Sequence, residues 1–108
     1  MTGTIITSPG YPSGYLPDVF ESYTVDVPAG KRIKVEFTDF HLEDKCNGEC
    51  VFDWVRVMNG VAEDVLMEKT CSSDKPAVFT SKSNKITIYF KADSSVEEKG
   101  WALNWMEV

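Results

Sequence analysis

Residues 41–57, HLEDKCNGECVFDWVRV, gather Glu43, Asp44, Glu49 and Asp53 around Cys46 and Cys50 and then run into a strand-like pattern. Alternation places Val51, Val55 and Val57 on one face and Phe52, Trp54 and Arg56 on the other. Parity assigns Asp53 to the valine face. A carboxylate on a buried face is costly unless something pairs with it. A Lys or Arg partner, a strand end in water or a bound cation would each answer that cost. Calcium is the cation such a set suits, because it takes roughly six to eight oxygen ligands. Asp93, in Lys91-Ala92-Asp93-Ser94-Ser95, follows another strand that ends at Phe90. Glu43, Asp53 and Asp93 could therefore meet at one tip of a β-sandwich. Three carboxylates around one divalent ion would leave a net negative charge able to attract a partner's Lys or Arg.

Other chemistries have weaker support. Cys46, Cys50, Cys71 and the lone His41 make a nominal three-Cys, one-His zinc set. Structural zinc sites usually present two ligand pairs, and Cys71 stands alone. A nucleophilic Cys46 or Cys50 with His41 as base is conceivable, which keeps a Cys-based enzyme as a rival, but there is no Gly-x-Ser-x-Gly elbow. No Gly-rich phosphate loop precedes a helix. Tyr11 and Tyr15 lie in the loop Ser8-Pro9-Gly10-Tyr11-Pro12-Ser13-Gly14-Tyr15 and are expected to pack over the sandwich end, with the Tyr15 hydroxyl able to reach a carboxylate. Trp54, Trp101 and Trp105 read as core or strand-face residues rather than sugar platforms.

The elements that must position these residues are nearly all of period two. Tyr23, Val25 and Val27 alternate before the turn Pro28-Ala29-Gly30, and Ile33, Val35 and Phe37 after it. Ile86, Ile88 and Phe90 repeat the pattern, as do Trp101, Leu103 and Trp105. Turn signals separate the runs, among them Asn59-Gly60 and Lys99-Gly100. Many short strands imply an all-β sandwich or barrel. Phe37 and Phe40 cannot share a face of a regular strand, so a bulge or strand end is expected near Thr38-Asp39.

The 108 residues predict a single domain, residues 1–108, with enough apolar content for a core. A net charge of −6 disfavours nucleic acid and suits cationic partners or metal ions. No apolar run approaches the ~20 residues of a membrane span. Met1-Thr2-Gly3 leads directly into a strand-like segment, so no signal peptide is expected within these residues. That start fits a module cut from a longer secreted protein or the natural start of a cytosolic one. Three cysteines suggest one disulfide and one leftover thiol.

Over almost its whole length the chain resembles a CUB domain. The matching elements are Gly3-x-Ile5, Ser8-Pro9-Gly10-Tyr11-Pro12-x-x-Tyr15, Val27-Pro28-x-Gly30-x-x-Ile33 and Phe37-x-x-Phe40-x-Leu42-Glu43. They continue with Cys50-x-x-Asp53-x-Val55-x-Val57, Ser83-Asn84-x-x-x-Ile88-x-Phe90 and Asp93-x-Ser95 before Gly100-Trp101. The resemblance implies an extracellular, antiparallel jelly-roll-like β-sandwich that binds proteins and is not an enzyme. In the calcium-binding members it implies Glu43, Asp53, Asp93 and the backbone carbonyl near Ser95 as metal ligands. Tyr15 then buttresses the cluster, and a partner Lys contacts the calcium-held carboxylates. It also implies a Cys50–Cys71 disulfide. A metal-free alternative would bind protein or carbohydrate through aromatic loops at Tyr11, Tyr15 and Trp54. The usual early disulfide is missing. Ser22 stands where its second cysteine would be, as in the N-terminal CUB modules of complement-initiating serine proteases. Cys46 falls in a lengthened loop, as a free thiol or as a link to a second copy in a homodimer.

Overall fold

The computed structural model describes residues 4–15, 18–43, 47–60, 64–93 and 98–108. The expectations for Cys46 and Ser95 lie outside the described residues. Among the described residues, eight strands run in chain order: β1 (Thr4–Thr7), β2 (Val19–Asp26), β3 (Ile33–His41), β4 (Trp54–Asn59), β5 (Val65–Thr70), β6 (Phe79–Thr80), β7 (Lys85–Ala92) and β8 (Gly100–Glu107). They form two four-stranded sheets, ordered β1-β8-β3-β6 and β2-β7-β4-β5. Every pairing is antiparallel. Among the described strands, only β4 and β5 are consecutive and pair; the chain otherwise crosses between sheets, which is the jelly-roll winding.

The two inner faces are built from the alternating residues. Val25, Ile33, Val35, Phe37, Val55, Val57, Ile86, Ile88, Phe90 and Leu103 are buried between the sheets. Each contributes about 1.5–3 kcal/mol of burial before the entropy of ordering is charged against it. Trp101 lies at the centre, edge-on to Tyr23, Phe37 and Phe90.

The expected irregularity in β3 is present. Phe37 pairs with Leu103 and Asp39 with Ala102, so Thr38 is the extra residue of a bulge. The shift lets Phe37 and Phe40 both face the core, where their rings meet edge-on with centroids 5.5 Å apart. It also turns Asp39 toward the loop that carries Tyr11.

The alternation predicts a strand running from Val51, and the structure corrects this. β4 begins at Trp54, and Val51 is 48% exposed. Phe52 and Asp53 form a bend that delivers the chain from the Cys50–Cys71 disulfide into the sheet. Asp53 is nonetheless fully buried, as are Val55 and Val57. Parity gives the right burial for this side chain although the residue precedes the strand.

Candidate metal centre

Strand register brings the acidic residues together. Trp54 pairs with Lys91, so the start of β4 lies beside the end of β7, and the Asp93 N–H donates to Asp53 Oδ1 at 2.8 Å. Glu43 follows the end of β3. Its segment is held by Leu42 N–H to the Ser72 carbonyl at 2.8 Å and Ser72 N–H to the Glu43 carbonyl at 3.1 Å. The Cys50–Cys71 disulfide joins that segment to the approach to β4. One carboxylate oxygen from each of Glu43, Asp53 and Asp93 lies within 4.8 Å of the others.

Tyr15 closes the cluster from the core side. Its ring is buried and meets Phe90 edge-on at 5.1 Å, and its hydroxyl donates to Asp53 Oδ2. The loop that delivers it folds tightly. Gly10 has a φ of 80°, and a Cβ there would collide with the Gly14 carbonyl oxygen. Tyr15 N–H then reaches the Glu98 carbonyl at 3.4 Å.

Burial is the main force raising the Asp53 carboxyl above its ordinary pKa, with the Asp93 charge adding to it. The hydrogen bonds from Tyr15 and from the Asp93 N–H work against the rise without cancelling it. Burial, then the hydrogen bond to Asp53 and its charge, push the Tyr15 hydroxyl well above its ordinary value, so it stays a proton donor. The donor set is all oxygen and all acidic, and its central member is desolvated. Those properties fit a hard divalent cation of the calcium type. Such an ion would neutralise the charge that burial penalises, with Glu43, Asp53 and Asp93 as its protein carboxylates.

The readings that use Cys50 or Cys71 as a free thiolate are corrected, while the alternative that rests on Cys46 lies outside the described residues. Cys50 and Cys71 are joined to each other, so neither is a thiolate for zinc or a nucleophile. His41 turns elsewhere: its Nε2 lies 2.9 Å from Asp39 Oδ1 and its Nδ1 3.4 Å from Ser73 Oγ.

A family model described as CUB domain matches residues 1–105. The chain belongs to the CUB domain family. Cubilin of Sus scrofa is 35% identical over 102 residues, which is 94% of this chain and 3% of cubilin. Mannan-binding lectin serine protease 1 of Rattus norvegicus is 33% identical over 105 residues, 96% of this chain and 14% of that protein. The chain thus spans a small fraction of these relatives. Among solved structures, the MASP-1 CUB2 domain bound to Ca2+ superposes with a TM-score of 0.82 at 31% identity, covering 96% of this chain and 90% of that one. The relatives are secreted or extracellular multidomain proteins, and this CUB domain is an extracellular module of that kind. CUB modules are non-catalytic interaction domains; where the relatives are proteases, their catalytic domains lie outside the matched region.

Sequence reasoning missed a second polar cluster in this CUB domain. Asp39 accepts from the Tyr11 hydroxyl at 2.6 Å and from the Lys99 ammonium at 2.6 Å. Its only sequence signal is the bulge, which marks a change of direction without naming the side chains it brings together.

Proposed function

We propose that this CUB domain is a calcium-dependent protein-interaction module. Glu43, Asp53 and Asp93 hold the ion, with the carbonyl near Ser95 as a further ligand and Tyr15 as the buried support of Asp53. The observation that carries the reading is the convergence of three carboxylates within 4.8 Å around a fully buried Asp53. The similar MASP-1 CUB2 domain, solved bound to Ca2+, supports it. Calcium supplies charge neutralisation and a fixed geometry. It ties together the chain segments that carry Glu43, Asp53 and Asp93, and it leaves carboxylate oxygens with residual negative charge for a Lys or Arg anchor of the partner. Extracellular calcium modules bind with dissociation constants as weak as about 10⁻⁴–10⁻³ M and still fill.

Thermal unfolding with and without about 2 mM Ca2+ tests this against the extracellular range. The ion raises the melting temperature, and Asp93→Ala removes the rise. An unchanged melting curve for the parent chain would overturn the reading. Binding of a lysine-rich peptide that depends on Ca2+ tests the anchor separately.

A further inference from the structure

The outer face of the second sheet departs from the rule that an antiparallel sheet keeps its solvent side polar. On that face Phe20 of β2, Tyr89 of β7, and Trp54 and Met58 of β4 come together with Arg56 around a concavity of about 270 Å³. Phe20 is 65% exposed. Its ring stands edge-on to Trp54 at 6.3 Å and meets Tyr89 at 6.2 Å. A large ring left in water beside two others is the mark of a contact surface rather than of a lone exposed residue.

Its charge is opposite to that of the chain. Arg56 lines the concavity, its Nε is buried with no hydrogen-bond acceptor among the described residues, and the nearest carboxylate oxygen is that of the well-exposed Glu68, at 3.8 Å. The Lys69 ammonium lies over the Trp54 ring, 4.7 Å from its centroid. Lys91 pairs in register with both Phe20 and Trp54. A cationic frame around apolar rings, on a molecule of net charge −6, selects an anionic group that has apolar surface beside it.

We propose that this face docks an acidic, aromatic-bearing peptide segment of a protein partner. Its ring or aliphatic side chain packs against Phe20 and Tyr89, and its carboxylate meets Arg56 and Lys91. A sugar is the poorer occupant, because stacking needs an open aromatic face. Trp54 is only 9% exposed, with Lys69 over its ring and Phe20 against it. The face is also continuous with the acidic tip: a second concavity, about 290 Å³, is lined by Asp18, Phe20, Lys91 and Asp93 among others. One partner could thus touch both places, but the docking itself does not depend on calcium.

The test is titration of the isotope-labelled chain with a capped hexapeptide of alternating glutamate and phenylalanine, followed by NMR. The same titration is run with a lysine–phenylalanine counterpart and with a heparin-derived oligosaccharide. The acidic peptide shifts the Trp54 indole and the Tyr89 signals, equally with Ca2+ or with chelator, and the lysine peptide does not. Phe20→Ser and Arg56→Gln each weaken binding by roughly tenfold or more, as for the central residues of an interface. Lys91→Glu, a surface change that leaves the core untouched, weakens it less. The proposal is overturned if neither peptide shifts these signals, if both do so equally, or if the oligosaccharide does so and the acidic peptide does not. Loss of the shift only in chelator would also overturn it, by assigning the effect to the calcium tip.

Discussion

Two aspartates, each held by a tyrosine of the same loop, end in opposite electrostatic states. Asp39 accepts from Tyr11, and Asp53 accepts from Tyr15. Asp39 also has the Lys99 ammonium at 2.6 Å, and its carboxyl is lowered from 3.8 to about 2, chiefly by that contact and then by Tyr11. Asp53 is fully buried, no ammonium or guanidinium bonds to it among the described residues, and its carboxyl is raised. A tyrosine hydroxyl alone cannot offset the desolvation of a carboxylate, whereas a cation in contact can. The position that Lys99 fills at Asp39 is the one a metal ion would fill at Asp53.

The contrast can be broken at either aspartate. The largest effect belongs to the metal. At a Ca2+ concentration of about 100 times the dissociation constant, an ion held as proposed would add about 2.7 kcal/mol to stability. Asp53→Asn should abolish that increment, read as the difference in urea midpoint with and without Ca2+, while Asp39→Asn should preserve it.

The tyrosines come next. Tyr15→Phe leaves a buried carboxylate short of a donor and should cost about 1–3 kcal/mol in metal-free protein. Tyr11→Phe should cost clearly less, because Lys99 and water still serve Asp39. Equal losses in chemical denaturation would erase the distinction between the two sites.

The smallest effects sharpen the Asp39 side. Its carboxyl is depressed in the folded state, so its contribution is fully present above the unfolded value near 4 and is lost as pH falls through about 2. With solvent screening allowed for, that contribution is about 1 kcal/mol. Asp39→Asn should therefore lower stability at pH 6 and make little difference near pH 2, measured as paired urea curves. Lys99→Met should return the Asp39 carboxyl toward its ordinary value in an NMR titration. If it stayed depressed, the lysine would not be the cause.

Much of this is legible in the chain. The period-two runs at Ile33–Phe37 and Ile86–Phe90 announce inner-face strands because a pleated strand has only two faces. The clash of Phe37 with Phe40 announces the bulge for the same reason. Asp53 stands out because a charge lands on an apolar face. Strand ends could only suggest Asp93 and Tyr15 as its partners, and the family resemblance supplied them, since no spacing argument crosses 38 or 40 residues of chain, the separations of those two contacts. The aromatic outer face escapes because Phe20, Trp54 and Tyr89 belong to three different strands, and each alone looks like an ordinary strand residue.

By itself, the sequence determined the acidic character and, apart from Val51 and the start of β4, the strand pattern and which side chains would face inward, because those follow from local geometry and residue type. Among the described residues, tertiary structure alone decided which aspartate has a lysine and which does not. It also decided that Phe20 stays in water, and it bears out the Cys50–Cys71 disulfide that the family resemblance implied. These are questions of which distant strands become neighbours, and that is settled by how two sheets pack over one core.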